Sequence, residues 1–450
     1  MPAGTDIRIV GARCELEETP FRTPLKFGGR VVDGSKVINV YATVETATGQ
    51  RAEGHGAMPV GNVWGWPTAQ VEPPLTEKAV CQTAAAVVNK AAGCRESGHP
   101  LDIVEILEQS YQATADGITS SLGIAERMPK LMTLVAASPF DAALHDAYGK
   151  ALGRNVYHCY GAEFANHDLA HYLTPEFSGE YLDRYVLPQP KLSLPLYHLV
   201  GALDPLTAAD VAKPIGDGLP ETLAEWIAAE GLTHLKIKLA GDNLSWDVAR
   251  VKAVEAVACE VNRGLGRDRW FYSTDFNEKC RNVEYVLEFL ATLREQAPAA
   301  LERIQYIEQP TARDLRANPD NKMHRAAAVR PVVIDESLTD LETLQLAVEQ
   351  GYSGVALKTC KGHGQALLMA AYALKHRLFL CVQDLTCPGA SFLHSAGLAA
   401  RLPGVAAVEG NARQFCPSAN RAWAARYPEL FHVRDGAVRT GLLTGPGLGH

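Results

Sequence analysis

His234-Leu235-Lys236-Ile237-Lys238-Leu239-Ala240-Gly241 is the stretch on which the reading of this chain turns. It has the length and apolar content of a short buried strand, yet it carries two lysines. Alternation along a strand puts Lys236 and Lys238 on one side and Ile237 on the other. Burying an ammonium group is costly unless a partner meets it, so an isolated Lys-x-Lys reads as an exposed edge strand. The residues further along the chain overturn that reading. Successive strand candidates end in acids: Asp275 in Tyr272-Ser-Thr-Asp-Phe-Asn277, Glu308 in Tyr306-Ile-Glu-Gln-Pro310, and Asp335 with Glu336 in Val333-Ile-Asp-Glu-Ser337. The next ends in Lys358, within Val355-Ala-Leu-Lys-Thr-Cys-Lys361.

Short apolar strand candidates cover 192–200, 235–239, 270–275, 304–308, 332–335, 354–358, 378–383 and 405–409. Amphipathic helical stretches lie between them, among them 222–230, 245–262, 283–297 and 340–350. Eight strand-helix units predict a (β/α)8 TIM-type barrel, whose strand ends share one mouth where sites are built. An open doubly wound sheet is the alternative, but no Gly-rich dinucleotide turn follows the first strand.

Upstream, 7–16 and 36–45 alternate as strands. The Pro- and Gly-containing stretch 19–29 reads as a loop, and so does 54–67, with two exposed tryptophans, Trp64 and Trp66. Helices are expected over 76–92, 101–116 and 139–152, the last with Ser138 as N-cap and Pro139 at its first position. The expected organisation is an N-terminal α+β capping domain over 1–188, a barrel over 189–422, and a C-terminal segment over 423–450 that returns to the cap.

With 47% hydrophobic and 21% charged residues, the 450-residue chain has the composition of a globular enzyme. A formal net charge of -8 with no basic run excludes a general nucleic-acid role. No apolar run is long enough to span a bilayer. The first residues lack the basic and apolar regions of a signal peptide, and the ten cysteines contain no Cys-x-x-Cys pair. A cytoplasmic, reduced, homo-oligomeric protein is expected.

Three carboxylates converging in one cleft repel one another and call for a cation. Oxygen-only donors select a hard divalent ion, Mg²⁺ before Mn²⁺. Such an ion would stabilise the charge that develops when a proton is removed α to a substrate carboxylate. Lys238 and Lys358 fall on the second and sixth strands, across the ring from each other, so one basic group can face each side of an α-carbon. A Schiff-base aldolase would also use such a lysine, but the three nearby carboxylates favour a metal.

These residues resemble the enolase superfamily, in the muconate-lactonizing-enzyme-like branch of its mandelate racemase/muconate lactonizing enzyme group. The resemblance spans nearly the whole chain. It implies Lys238 and Lys358 as acid/base groups, and Lys236 as the lysine that tunes Lys238 or contacts the substrate carboxylate. It further implies Asp275, Glu308 and Asp335 as metal ligands, with Glu336 an alternative third ligand, and Asn277 and Gln309 as their polar neighbours. Phe21 to Gly29 and Gly54 to Trp66 fall where the family's substrate-closing loops would be. Phe21, His55, Trp64, His198, Lys361, Asp384 and Glu409 are the candidate substrate contacts.

The departures are Lys361-Gly-His-Gly364 in place of a Gly-Gly, and Glu409-Gly-Asn411 where dipeptide epimerases carry Asp-x-Asp. The chain also lacks a His-Asp dyad placed as in mandelate racemase. The implied reaction is racemization, epimerization or cycloisomerization of a small carboxylate. Dehydration at the same site is the alternative, and a non-catalytic ligand-binding barrel is the reading from another class.

Overall fold

The computed structural model describes residues 4–27 and 30–450. The N-terminal sheet is antiparallel, in the order β3-β2-β1-β4, from β1 (Ile7–Phe27), β2 (Arg30–Thr46), β3 (Arg51–Pro59) and β4 (Ser97–Gly98). The predicted 19–29 loop is therefore largely strand. Pro20 and Pro24 are absorbed where the β1–β2 register shifts between Pro20 and Leu25, after which Leu25 pairs with Val32. Prolines are tolerated at such irregularities because no ladder donor is demanded there. Leu25 packs on Leu199 and Phe415 of the barrel side, which gives this part of the hairpin a reason to stay extended. Gly28 and Gly29 lie outside the described residues.

The second predicted loop is also partly strand, since Gly54 to Pro59 belong to β3. A short helix, α1 (Asn62–Gly65), comes next, and Trp64 and Trp66 are buried at 6% and 2% exposure rather than exposed. Helix α2 (Pro73–Ala92) is as expected, whereas the predicted helix 101–116 breaks into α3 (Pro100–Glu108) and α4 (Tyr111–Ser121).

Helix α5 (Lys130–Ala151) begins well before its expected start, with Pro139 in its interior. Ser138 is no N-cap; its hydroxyl donates to the Val135 carbonyl at 2.9 Å. An interior proline costs about 3 kcal/mol. Every residue from Leu131 to Gly149 is buried, and that burial outweighs the cost. The sheet presses on this helix at Gly54 and Gly56. A Cβ at Gly56 would stand 1.9 Å from the Pro139 carbonyl oxygen, so only glycine fits.

The barrel comprises eight parallel strands: β5 (Leu194–Val200), β6 (His234–Lys238), β7 (Phe271–Asp275), β8 (Ile304–Glu308), β9 (Val332–Ile334), β10 (Gly354–Leu357), β11 (Phe379–Val382) and β12 (Val408–Glu409). It closes through β12–β5, with Val408 opposite Leu196. Its interior is filled below the site by Tyr197, Tyr306, Val333, Ala356, Cys381 and Ala407. A ninth strand, β13 (Ala437–Val438), pairs antiparallel with the start of β5. The last residues run back to α5, where the Leu448 N–H donates to Asp146 Oδ1 at 2.9 Å. Among the described residues no helix is long and apolar enough to cross a membrane, and the ten cysteines are free thiols.

Candidate active site

Strand β6 is interior, flanked by β5 and β7, and all five of its residues are buried. The parallel register sets Lys238 beside Asp275, and Asp275 beside Glu308. The strand-end residues picked out in the sequence thus meet at one mouth.

Lys236 (2% exposed) bridges three carboxylates: Glu308 at 2.8 Å, Glu409 at 3.2 Å and Asp275 at 3.3 Å. Burial alone would pull this ammonium down, but Glu308, Glu409 and Asp275 together hold it well above the usual lysine range. Lys238 donates to Asp275 Oδ2 in a short contact. Across the ring, Lys358 pairs with Asp335 Oδ2 at 2.8 Å, and Lys361 pairs with Oδ1 of the same carboxylate at 3.1 Å. Burial works against the charge on Lys358 too, and Asp335 more than offsets it.

The acids divide into two groups. Asp275 and Asp335 are buried, which alone would raise them, but the lysines hold both below the usual carboxylate range. Glu308 is pushed up by burial and then by Asp275. Burial and Asp335 push Glu336 up to about 8, and burial and Glu409 push Asp384 up to about 6. Asp275, Glu308, Asp335 and Glu409 thus share the mouth with four ammonium groups (Lys236, Lys238, Lys358, Lys361), and Glu336 stands beside them under Trp64. Burial aside, the acids crowd closely enough that Asp275 raises Glu308 and Asp335 raises Glu336, and Glu336 Oε2 is buried without a hydrogen-bond partner. Oxygen-only donors crowded in this way fit a hard divalent cation, which would relieve that repulsion. Among the described residues, no group of three His, Cys, Asp or Glu side chains is already drawn together as a metal cage, because the lysines hold the carboxylates instead.

The polar neighbours brace these groups. The Asn277 N–H donates to Asp275 Oδ1 at 2.8 Å, and Gln309 Oε1 accepts from the Asp335 N–H at 3.0 Å. Both residues adopt positive φ, 46° and 25°, a strain typical of functional loops. Gln383, absent from the candidates read in the sequence, donates to Glu308 Oε2. Its place at the end of the seventh strand was the available signal.

The cap supplies Trp64, whose indole N–H donates to Glu336 Oε1 at 2.9 Å and whose ring lies 4.5 Å from Lys358 Nζ. Arg313 fastens this corner. It pairs with Glu278 at 2.5 Å and donates to the Trp64 carbonyl at 3.1 Å. Lys358 is therefore roofed, whereas Lys238 opens on a cleft of about 570 Å³ lined also by Asn277, Trp246, Lys26 and Lys279.

The remaining candidates lie further out. Phe21 borders a small pocket shared with Trp64 and Thr386, and packs on Phe415. His55 is away from the mouth, stacked between Tyr41 and Trp423 and bonded to Asn39 Oδ1 at 2.9 Å. Its position on β3 aims it along the sheet face, which a loop reading of 54–67 conceals. His198 lines a neighbouring cleft of about 410 Å³ and accepts from Arg413 at 2.8 Å; burial and Arg413 keep it neutral. Asp384 shapes its own loop, accepting from the N–H groups of Cys387 at 2.6 Å and Asn411 at 2.5 Å.

Residues 218–450 match the family model described as enolase C-terminal domain-like. The match covers more than half of the chain, and the chain belongs to this family, in the mandelate racemase/muconate lactonizing enzyme group of the enolase superfamily. No curated protein matches it by sequence. Among solved structures, it is similar to a dipeptide epimerase from Enterococcus faecalis V583 complexed with Mg and L-Leu-L-Tyr: TM-score 0.63, 15% identity, covering 98% of this chain and 99% of that one. An enolase from Bradyrhizobium complexed with magnesium and mandelic acid gives 0.61 at 18% identity, covering 98% and 95%. A muconate lactonizing enzyme from Pseudomonas fluorescens complexed with muconolactone gives 0.58 at 19%, covering 98% and 96%. At these identities the likeness is one of fold.

Proposed function

We propose that this protein is an isomerase that removes and returns the proton α to a substrate carboxylate, with Mg²⁺ held by Asp275, Glu308 and Asp335. The observation that carries the reading is the pair of buried lysines, Lys238 and Lys358, held against carboxylates on opposite sides of one barrel mouth. Magnesium in the epimerase and mandelate complexes supports the choice of ion. When bound, the ion would supply positive charge for the enediolate that proton removal creates.

The chain's own residues divide the rest of the work. Lys238, on the open side, takes the α-proton; Lys358, under Trp64, delivers a proton to the opposite face. Which of the two acts first depends on the substrate's handedness. Lys236 holds Glu308 and Glu409 in place and adds positive charge beside Lys238. Asp335 is taken as the third ligand, and Glu336, whose Oε1 accepts from Trp64 and whose Oε2 has no partner, is the alternative third ligand. Trp64 and Arg313 keep water from the Lys358 side.

Two opposed lysines favour racemization or epimerization over dehydration, which moves a proton on one side only. The test is to incubate the purified protein and Mg²⁺ with acid sugars, N-acyl amino acids and cyclic dienoates, following optical rotation and product mass. Inversion at unchanged mass supports the reading. Loss of water from an acid sugar would replace it with the dehydratase, and no reaction across the set would favour a ligand-binding barrel.

A further inference from the structure

Away from the barrel mouth, a cavity of about 170 Å³ lies between the cap and the barrel. Its walls come from α3, α4 and α5 on one side. On the other they come from Asp340 and the segment Lys361 to Met369, beyond the sixth barrel strand. Leu101, Leu134, Leu368 and Met369 give it apolar surface. Tyr111 lines it, is 5% exposed, and its hydroxyl has no hydrogen-bond partner among the described residues. An unpaired buried hydroxyl is costly, and such groups point to something that pairs with them.

The polar groups around Tyr111 are nearly all acceptors. Of four carboxylates in the wall, Glu105 pairs with His171 at 2.9 Å and Asp340 with Lys130 at 2.7 Å. Asp141 faces His145 at 3.2 Å and accepts from the Gly364 N–H at 3.0 Å. Glu108 has no ion-pair partner among the described residues, and burial pushes its carboxyl up against the pull of Lys130. Gln365 adds a carbonyl oxygen without a donor. The one ammonium in the wall, Lys361, is committed to Asp335.

We propose that this cavity binds a small organic cation: a primary amine carrying a ring-sized apolar group. The ammonium sits among Glu108, the Tyr111 hydroxyl and Gln365, and the apolar group lies against Leu134, Leu368 and Met369. The size suits one ring, since a cavity of about 150 Å³ accommodates benzene. An occupant abuts Gly362 and Gly364, which follow Lys361 at the start of the helix His363–Lys375, so this site adjoins the barrel mouth without belonging to it.

The test is calorimetric titration of the full chain with 2-phenylethylamine and with its neutral counterpart, 2-phenylethanol. The amine is expected to bind saturably and about tenfold or more tighter than the alcohol. Glu108→Gln is expected to remove that advantage while leaving alcohol binding unchanged. Equal binding of the two compounds, an unchanged amine affinity in Glu108→Gln, or no saturable heat would each overturn the proposal. Should Glu108→Gln fail to fold, Leu368→Trp fills the cavity; amine binding that survives it would overturn the proposal as well. None of these readouts depends on the catalytic reading.

Discussion

Lys238 and Lys358 have similar chemistry and different surroundings, and those surroundings separate their expected behaviour. Positioned acid/base groups contribute about 10²–10⁴-fold to rate. Lys238→Met and Lys358→Met are each expected to lower interconversion of the two stereoisomers by a factor in that range. Each variant should still exchange the proton on the face served by the lysine that remains. Turnover within a few-fold of wild type in both would take the lysines out of proton transfer. Trp64 offers a finer probe, since it roofs Lys358 and donates to Glu336. A desolvated cation–π contact is worth about 2 kcal/mol, or roughly 30-fold in rate. Steady-state kinetics should therefore find Trp64→Leu more damaging than Trp64→Phe, which keeps an aromatic face but loses the N–H and part of the ring area. Equal kcat losses would assign the role of Trp64 to its hydrogen bond alone.

At the scale of elements, the contact of β3 with α5 carries a sharp expectation. Gly56→Ala puts a methyl group into the Pro139 carbonyl. Overpacking of this kind costs about 1–3 kcal/mol, to be seen as a lowered denaturation midpoint in urea; a midpoint unchanged from wild type would mean that the helix moves freely away from the sheet. The same elements mark where sequence was informative. The barrel strands announce themselves because buried parallel strands are continuous apolar runs, and their ends carry the chemistry at Asp275, Glu308, Asp335 and Lys358. Trp64 was legible as a candidate, but not as a roof over Lys358, because that depends on α1 docking from a part of the chain far away in sequence. The β1–β2 hairpin and the early start of α5 were hidden for a related reason. Local signals at Pro20, Pro24 and Pro139 argue for loops and helix starts, and only tertiary burial of Leu25 and of the whole of α5 overrides them. Gln383 carries no comparable signal, because an amide at a strand end has many uses.

At the scale of the whole molecule, buried histidines tie stability to pH. Burial pulls His234 down to about 4; burial and then His145 pull His363 down to about 3. In the unfolded chain such groups titrate near 6.5. Their contribution is therefore intact above about pH 6.5 and is lost as pH falls toward 4, because the unfolded state takes up protons that the folded state refuses. At about pH 5 the loss is on the order of 2 kcal/mol for each. Urea denaturation at about pH 7 and about pH 5 should find that loss, and His234→Phe should reduce it by one histidine's share; equal stability at both pH values would contradict the buried neutral state.

The barrel mouth is expected to work as one device, in which a divalent ion and two opposed lysines act on a single α-carbon. Incorporation of solvent deuterium at the α-carbon of a carboxylate substrate, monitored by proton NMR with Mg²⁺ present and again after chelation, tests this most directly. The expected result is exchange accompanied by inversion with Mg²⁺, abolished by chelation and restored by returning the ion. Inversion or product formation that proceeds with the α-proton fully retained would contradict it.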